Sequence, residues 1–299
     1  MSKILITGGS GLIGRHLTKM LVDRDHEVAH LGRSKRSSTV KTFVWDVQNR
    51  SIEKDAFLGV DTIVHLAGEG IADKRWTPQR KRQILESRTQ STRLLFEHLK
   101  ANPHQVKTFV SASAIGYYGF DNNDYEFSES DGPGSGFLAE VVKSWEDEVD
   151  KMQQLGLRVV KIRVGIVLSM DGGALKEMVK PVRFNVGAPL GSGTQNLSWI
   201  HIEDLSAIFV KAIEHKLEGV YNGVGPYAVS NEEFTQAVAK MLNKPLLLPR
   251  VPSWSLRLLF GEMADLVIKG NKVSSDKLKS TGFKYRFKTL EAALSDLLI

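Results

Sequence analysis

Three glycines near the start of the chain have the spacing of a phosphate-binding turn. Gly8, Gly11 and Gly14 follow an apolar, β-branched run at 3–7 and open a stretch of helical hydrophobic periodicity at 12–22. The first glycine permits a tight turn, the second lets the backbone approach a pyrophosphate, and the third lets the helix lie close to the strand. The N–H groups and positive dipole end of the helix would bind the phosphates. The residues predicted to bind a dinucleotide here are Gly8, Gly11, Leu12, Ile13 and Gly14.

A basic side chain follows the second predicted strand, which covers residues 27–31. A site specific for NAD usually has an acid at this point, which binds the ribose 2′-hydroxyl. Here Arg33 offers a guanidinium fork and Ser34 a hydroxyl, which together suit a 2′-phosphate. The sequence therefore favours NADP over NAD. Asp46, after the third predicted strand, has two open interpretations, as a hydrogen-bond acceptor for the adenine amine or as a cap of its own loop.

Short β-branched runs alternate with amphipathic stretches over about the first 170 residues. This alternation is typical of parallel strands joined by crossover helices. It predicts an α/β fold with a doubly wound parallel sheet, that is, a Rossmann fold. Strands are predicted at 3–7, 27–31, 42–44, 62–65, 108–113 and 158–164, and helices at 12–22, 78–100 and 136–155.

The rhythm of the sequence changes after about residue 170, where a glycine-rich turn begins. We expect a dinucleotide-binding domain at 1–170, to which a segment near 196–225 returns. We expect a smaller C-terminal substrate lobe at 171–299, which includes the segment 250–299. Within it, Ser230 and Glu233 have the spacing of a capping box at the start of a helix.

Composition excludes several classes of function. The 299 residues include no cysteine, so a disulfide framework, a thiolate nucleophile and a Cys-ligated zinc are excluded, and the eight scattered histidines predict no metal site. Apolar runs are too short for a signal peptide or a membrane span, so we expect a cytoplasmic protein without a membrane partner. The net charge of +6 comes from basic residues spread along the chain, so we expect no nucleic-acid partner. The expected partner is a small-molecule substrate.

Further motifs resemble those of the short-chain dehydrogenase/reductase superfamily, in its extended branch of nucleotide-sugar epimerases and dehydratases. The similar segments are 65–68 (HLAG), 109–114 (FVSASA) with 117–119 (YYG), and 163–168 (RVGIVL). An atypical subgroup known only as epimerase family proteins is similar at 66–69, 137–139, 143–146 and 199–205. Its members also carry a C-terminal domain of unknown function, which the chain resembles from about Val251, so the resemblance covers essentially the whole chain.

The resemblance implies further cofactor contacts and a proton relay. The additional residues that it suggests along the cofactor are Leu66, Ala67, Gly68, Arg88, Ser111, Lys143 and Val167. In the superfamily a Tyr and a Lys four residues apart on one helix act with a Ser. Here Lys143 matches the lysine, which also holds the ribose, and Ser113 matches the serine, but Ala139 stands where the tyrosine is expected.

Several side chains could replace the missing tyrosine. Tyr117 is preferred because it keeps a phenol as the proton donor. Tyr118, Glu140 and Glu69 are the other candidates, and packing without a catalytic role remains open for the tyrosines. Arg88 could equally be a surface residue.

The leading functional hypothesis is an NADP(H)-binding oxidoreductase or epimerase-like enzyme that acts on an alcohol, a carbonyl or a sugar-nucleotide-like molecule. The alternative is an NADP(H)-binding sensor or regulatory protein without catalysis, which Ala139 favours. An epimerase with tightly retained NAD is disfavoured by Arg33. By resemblance, a homodimer is possible through the helices at 78–100 and 136–155.

Overall fold

A computed structural model describes residues 1–35, 40–120 and 125–299. The strands are β1 (Lys3–Thr7), β2 (Glu27–Gly32), β3 (Lys41–Asp46), β4 (Ser51–Ile52), β5 (Thr62–His65), β6 (Thr108–Ala114), β7 (Glu126–Phe127), β8 (Arg158–Val164), β9 (Ile166–Leu168), β10 (Asn196–Leu197), β11 (Trp199–His201), β12 (Gly219–Gly223), β13 (Val229–Ser230) and β14 (Lys272–Val273). The helices are α1 (Leu12–Val22), α2 (Pro78–Ala101), α3 (Phe137–Asp150), α4 (Ala174–Arg183), α5 (Ile202–Glu214), α6 (Asn231–Met241), α7 (Ser253–Phe260), α8 (Asp265–Ile268), α9 (Asp276–Ser280) and α10 (Leu290–Leu298).

The main sheet has eight strands in the order β12-β8-β6-β5-β1-β2-β3-β4. Every neighbouring pair in it is parallel except the pair of β3 and β4. The chain proceeds from β1 to β2 and β3 on one side, and later to β5 and β6 on the other. The predicted doubly wound Rossmann fold is therefore confirmed, and its switch point lies between β1 and β5, where such sheets bind ligands.

The central strands are apolar on both faces because helices cover both. Residues Ile4, Leu5 and Ile6 of β1 are fully buried, as are Ile63 and Val64 of β5. This near-continuous burial is typical of parallel strands in α/β proteins. Among the covering helices, α1 packs against α5 and α2 packs against α3.

A second apolar cluster lies in the C-terminal part of the chain. Helices α4, α6 and α10 contribute Val179, Phe234, Val238 and Leu294 to it. The predicted capping box is confirmed at the start of α6, where Ser230 accepts from the N–H of Glu233 and the Glu233 carboxylate accepts from the N–H of Ser230. Within 1–35, 40–120 and 125–299, no helix has the length and apolar character needed to cross a membrane.

Candidate functional site

The glycine-rich turn connects β1 to α1 with little space between the two. Gly8 has a φ of +70°, and its carbonyl accepts from the N–H of Gly11 at 2.9 Å. A Cβ atom placed on Gly14 would lie 2.4 Å from the Gly8 carbonyl oxygen, and one on Gly8 would lie 2.9 Å from the backbone of Leu66 and Ala67. Each position therefore requires glycine because neighbouring backbone fills the space of a side chain.

The first turn of α1 is available to an anion. Its N-cap is Gly11, no side chain among the described residues caps it, and it contains no acidic residue. The N–H groups of Leu12 and Ile13 lie in this turn, where the helix dipole is positive. The geometry suits the pyrophosphate of a dinucleotide.

A crevice of about 140 Å³ opens beside this turn. We use "the crevice" for this cavity, whose walls include Gly8, Gly9, Ser10, His30, Arg33 and Ser34. The structure therefore brings the predicted Arg33 and Ser34 together with the glycine turn. These residues fit a dinucleotide with a 2′-phosphate, because the crevice places a guanidinium and a hydroxyl beside the glycine turn.

Some residues of the crevice were not predicted from the sequence. A Cβ atom on Gly9 would lie 2.4 Å from the His30 ring, so His30 supports the turn directly, and Thr42 of β3 also lines the crevice. The His30 ring nitrogen Nε2 is hydrogen-bonded to the Thr18 hydroxyl at 2.8 Å. Alternation along β2 could have indicated His30 as a residue near the turn. It precedes the buried Leu31, so its side chain points to the opposite face of the strand.

Arg33 of the crevice wall belongs to a chain of three ion-paired side chains. Arg33 follows β2 and Glu69 follows β5, so the two strands flank β1 and its glycine turn. A guanidinium nitrogen of Arg33 lies 3.4 Å from Glu69 Oε1, and the Arg33 side chain is 85% exposed. The other carboxylate oxygen of Glu69 lies 3.2 Å from buried Arg80. Glu69 is therefore engaged by two arginines, which does not suit the proton-donor role considered for it.

The segment after β5 lies against the turn, as predicted for a cofactor-binding segment. The N–H groups of Leu66 and Ala67 both donate to the Thr7 hydroxyl at 3.2 Å. A Cβ atom on Gly68 would lie 3.2 Å from the Arg88 guanidinium carbon. This segment is thus held between β1 and α2.

Arg88 is a half-buried cation at the edge of the site. Its guanidinium donates to the carbonyl oxygens of Ile84 at 2.9 Å and Glu69 at 3.0 Å, and lies 5.3 Å from the centre of the Trp145 ring. Burial, which disfavours the charged form, lowers the pKa of Arg88 to about 10, so it remains a cation at neutral pH. The surface interpretation of Arg88 is therefore excluded.

His65 is structural, although it belongs to the segment that resembles the superfamily. It is fully buried, and its ring nitrogens are hydrogen-bonded to Thr7 at 2.7 Å and to Thr92 at 3.0 Å. Burial, together with the charge of Arg88, lowers the pKa of His65 to about 3. The ring is therefore neutral at physiological pH and joins β1, β5 and α2.

Asp46 caps its own loop, which is one of the two interpretations of this residue. Its carboxylate accepts from the N–H groups of Gln48 at 2.9 Å and Asn49 at 3.0 Å, and from the Asn49 amide at 2.8 Å. These bonds, those from Asn49 first, lower the pKa of Asp46. Asp46 is not among the residues of the crevice wall.

A second cavity, of about 240 Å³, lies between α3 and the C-terminal part of the chain. We call it "the cleft". Its walls are largely apolar and include Ile115, Phe120, Leu138, Val142, Ile166 and Leu266. Arg88, Asn196, Ser198, Lys269 and Asn271 contribute its polar groups. These walls suit a small, largely apolar molecule.

The residues of α3 that line the cleft are not Ala139 and Lys143, the positions that match the Tyr and Lys of the superfamily. Leu138 and Val142, four residues apart, line the cleft with Val141. Lys143 is 54% exposed and its ammonium binds Asp147 at 2.7 Å, a hydrogen bond that raises the pKa of Lys143. Lys143 is not among the residues that line the cleft, because it is turned about 100° from Val142 on the helix, so its predicted contact with the ribose stays a prediction.

The other positions considered on α3 also lie outside the cleft. Ala139 is buried, and Glu140 is exposed in the first turn. The pair of residues at the spacing of Tyr and Lys that faces the cleft is thus the aliphatic pair Leu138 and Val142. Neither side chain can donate or accept a proton.

Ser113 has a buried polar partner instead of a place in the cleft. Its hydroxyl donates to Glu146 Oε1 at 2.6 Å, and Ser113 is 3% exposed. Arg163 donates to both carboxylate oxygens of Glu146, at 2.9 and 3.0 Å. Burial raises the pKa of Glu146, but the bonds from Arg163 and Ser113 outweigh this effect and lower it. Ser113 thus supports a buried ion pair, and the structure does not bring it to the cleft, where it was predicted to act on the reacting oxygen.

The two tyrosines after β6 pack around the same ion pair. The Arg163 guanidinium carbon lies 3.5 Å from the centre of the half-buried Tyr117 ring. The buried Tyr118 hydroxyl accepts from Arg163 at 3.0 Å and donates to Asn222 at 2.7 Å. Burial raises the pKa of Tyr118 to about 12. Neither ring lines the cleft, so the structure does not place Tyr117 as the proton donor.

Two further predicted cofactor residues are internal. Ser111 is fully buried, and its hydroxyl donates to the carbonyl of Ala112 at 2.7 Å. Val167 is half-buried in β9, next to Ile166 of the cleft wall. Neither side chain lines the crevice or the cleft.

Known protein families match almost the whole chain. The NAD dependent epimerase/dehydratase family matches residues 4–224, and a domain of unknown function, DUF1731, matches residues 251–297. The epimerase family protein SSP1921 of Staphylococcus saprophyticus is 36% identical over 308 aligned positions, which cover 100% of both chains.

Solved structures share the fold over the same extent. A crystal structure of the human epimerase family protein SDR39U1 (isoform 2) with NADPH has a TM-score of 0.89 and 32% identity, and the alignment covers 99% of this chain and 98% of the human one. A nucleoside-diphosphate sugar epimerase from Corynebacterium glutamicum has a TM-score of 0.81 and 32% identity, covering 99% of this chain and 58% of that one. The chain described here therefore belongs to the NAD dependent epimerase/dehydratase family of nucleotide-binding short-chain dehydrogenases/reductases and carries DUF1731 at its carboxyl-terminal side.

Proposed function

We propose that this chain is an NADP(H)-dependent oxidoreductase that reduces a carbonyl compound bound in the cleft. The observation that carries the choice of cofactor is the position of Arg33 in the wall of the crevice. A guanidinium there pairs with a 2′-phosphate, whereas an acid would repel it. The presence of NADPH in the crystal structure of the human relative supports the same choice.

The chain's own residues divide the work between binding and containment. Gly8, Gly11 and the first turn of α1 would hold the pyrophosphate, and Arg33 with Ser34 would hold the 2′-phosphate. When bound, NADPH supplies a hydride. The apolar walls of the cleft would exclude water from the reacting carbonyl.

Calorimetric titration with NADPH and NADH tests the choice of cofactor. We expect NADPH to bind at least tenfold more tightly. Arg33→Ala should weaken NADPH binding by on the order of 10- to 100-fold, the value of a charged hydrogen bond, with NADH unchanged. Lys35→Ala is the matched control, because Lys35 is an exposed neighbour paired with Glu53. Equal affinity for both cofactors would contradict the proposal.

A second candidate, a sensor of NADP(H) without catalysis, is favoured by the aliphatic pair on α3. Leu138 and Val142 provide no proton relay at the cleft. Stereospecifically deuterated NADPH distinguishes the two functions in a metabolite extract. An enzyme transfers deuterium to a metabolite, whereas a sensor leaves the label on the cofactor.

A further inference from the structure

The polar groups of the cleft are mostly committed to the protein itself. The Ser198 hydroxyl donates to the Asn271 carbonyl at 2.8 Å and accepts from the N–H of Val273 at 3.0 Å. Lys269 binds the carboxylate of Asp265 at 3.1 Å, and Arg88 donates to two backbone carbonyls. A sugar ring needs a partner for each hydroxyl that it buries, because an unpaired one costs about 1–3 kcal/mol. The cleft is thus poorly suited to a sugar.

One polar residue of the cleft wall differs from the others. In the described ranges, the Asn196 side chain has no protein hydrogen-bond partner, although Asn196 lines the cleft beside Ile166. A side-chain amide can donate to one carbonyl oxygen. The cleft therefore combines an apolar surface with one available donor, which suits a flat apolar molecule with a carbonyl group.

Because α3 provides no proton donor at the cleft, the type of carbonyl compound that could be reduced there is restricted further. An isolated ketone becomes an alkoxide on reduction, which is about as strong a base as hydroxide and needs a proton donor at hand. A quinone becomes a phenolate, and a phenol has a pKa of only about 10. Leu138 and Val142 cannot supply a proton, but the Arg88 cation at the wall stabilises an anion.

We propose that the cleft binds an apolar, conjugated dicarbonyl compound of the quinone class, with Asn196 as its hydrogen-bond donor and the positive charge of Arg88 stabilising the reduced anion. This inference rests on the proposed function. In the balanced reaction, NADPH gives one hydride to the quinone and becomes NADP⁺, and the resulting hydroquinone anion takes one proton from water.

The first experiment measures binding separately from turnover. In the presence of NADP⁺, which holds no hydride to donate, 1,4-naphthoquinone is titrated by calorimetry against the full chain, with UDP-glucose and cyclohexanone as comparison compounds. We expect saturable binding of the naphthoquinone and at least tenfold weaker binding of the others. With NADPH, the naphthoquinone should be reduced faster than by the heat-denatured protein.

Variants of the apolar wall test the location. Leu138→Gln should weaken naphthoquinone binding about tenfold, because it places an amide against the apolar ring, with NADPH affinity unchanged. Glu140→Gln is the matched control, since Glu140 is exposed on the same helix outside the cleft. If Leu138→Gln does not fold, Ile115→Gln, at a half-buried position of the same wall, makes the same test. Leu138→Met should retain binding.

The results separate the two proposals. If NADPH binds but naphthoquinone is neither bound nor reduced, or UDP-glucose binds more tightly, the quinone inference is overturned and the choice of cofactor stands. If naphthoquinone binds equally to the Leu138→Gln and Ile115→Gln variants, the cleft is not its site. If NADPH itself fails to bind, the proposed function is wrong.

Discussion

The crevice and the cleft differ in the chemical groups that line them. Among the residues that the structure describes, glycine backbone, small polar side chains and the Arg33 guanidinium line the crevice. In the cleft, side chains form an apolar wall, and the positions at the spacing of a catalytic pair are Leu138 and Val142. The comparison shows that the glycine turn typical of the family occurs in the same chain as a helix face whose side chains at the spacing of the expected Tyr and Lys are aliphatic.

The largest effect on NADPH affinity is expected when the glycine-rich turn beside the crevice is disrupted. In Gly14→Ala, the new methyl group would lie 2.4 Å from the Gly8 carbonyl oxygen and force the turn away from α1. We expect NADPH affinity to fall by at least about 100-fold, because misplaced backbone groups lose their phosphate contacts. Calorimetry measures this loss. Gly132→Ala is the control, because a Cβ atom there meets nothing within 4 Å; unchanged affinity in Gly14→Ala would show that the turn does not bind the cofactor.

The second prediction tests whether Ser113 takes part in catalysis or supports the buried ion pair of Glu146 and Arg163. Ser113→Ala removes a donor from buried Glu146, so we expect the free energy of unfolding to fall by about 1–3 kcal/mol. NADPH affinity should change by less than about twofold, since Ser113 lines neither cavity. Denaturant titration and calorimetry provide the two measurements. Wild-type stability together with a large loss of turnover would restore the catalytic role suggested by the sequence.

A smaller effect on NADPH affinity is expected at Glu69, which is paired with Arg33 of the crevice. Because its carboxylate competes with a 2′-phosphate for Arg33, Glu69→Gln should raise NADPH affinity about threefold, as expected for an exposed ion pair worth less than about 1 kcal/mol. NADH affinity should stay constant. The effect should fade at high salt. A parallel gain for NADH would assign the change to something other than the 2′-phosphate.

The smallest effect is expected at Lys143. Its ammonium is exposed and paired with Asp147 on the same helix, so Lys143→Ala should change NADPH affinity and turnover by less than about twofold. Asp147→Ala, which removes the other partner of this pair, should behave alike. A tenfold or greater loss of NADPH affinity in Lys143→Ala alone would place Lys143 on the ribose, as the sequence suggested.

Much of the fold could be predicted from the sequence because it follows local patterns. The strand at Lys3–Thr7, the helix at Leu12–Val22 and the capping box at Ser230 agree with the structure because strand burial, helix periodicity and capping are each encoded within a few residues. Gly8 and Gly14 of the glycine-rich turn and Arg33 of the crevice were predictable for the same reason.

The cleft could not be predicted in the same way, because it depends on contacts between distant elements. A displacement of one position on α3 exchanges Lys143 for Val142, and resemblance alone does not resolve such a difference. The partner of Ser113 lies 33 residues away at Glu146. One signal was present: Glu146 shares the apolar stripe of α3 with Val142 and Val149, and an acid on such a stripe indicates a buried partner.

The position of β12 has a consequence for how the chain holds together. Residues Gly219–Gly223 add the terminal strand beside β8, after the chain has already contributed α4 to the second apolar cluster. The amino-terminal half thus depends on a late segment to cover its outermost strand. A fragment that stops before residue 219 would leave the hydrogen-bonding groups of β8 exposed, a known cause of aggregation. The two halves are therefore expected to melt as one cooperative unit.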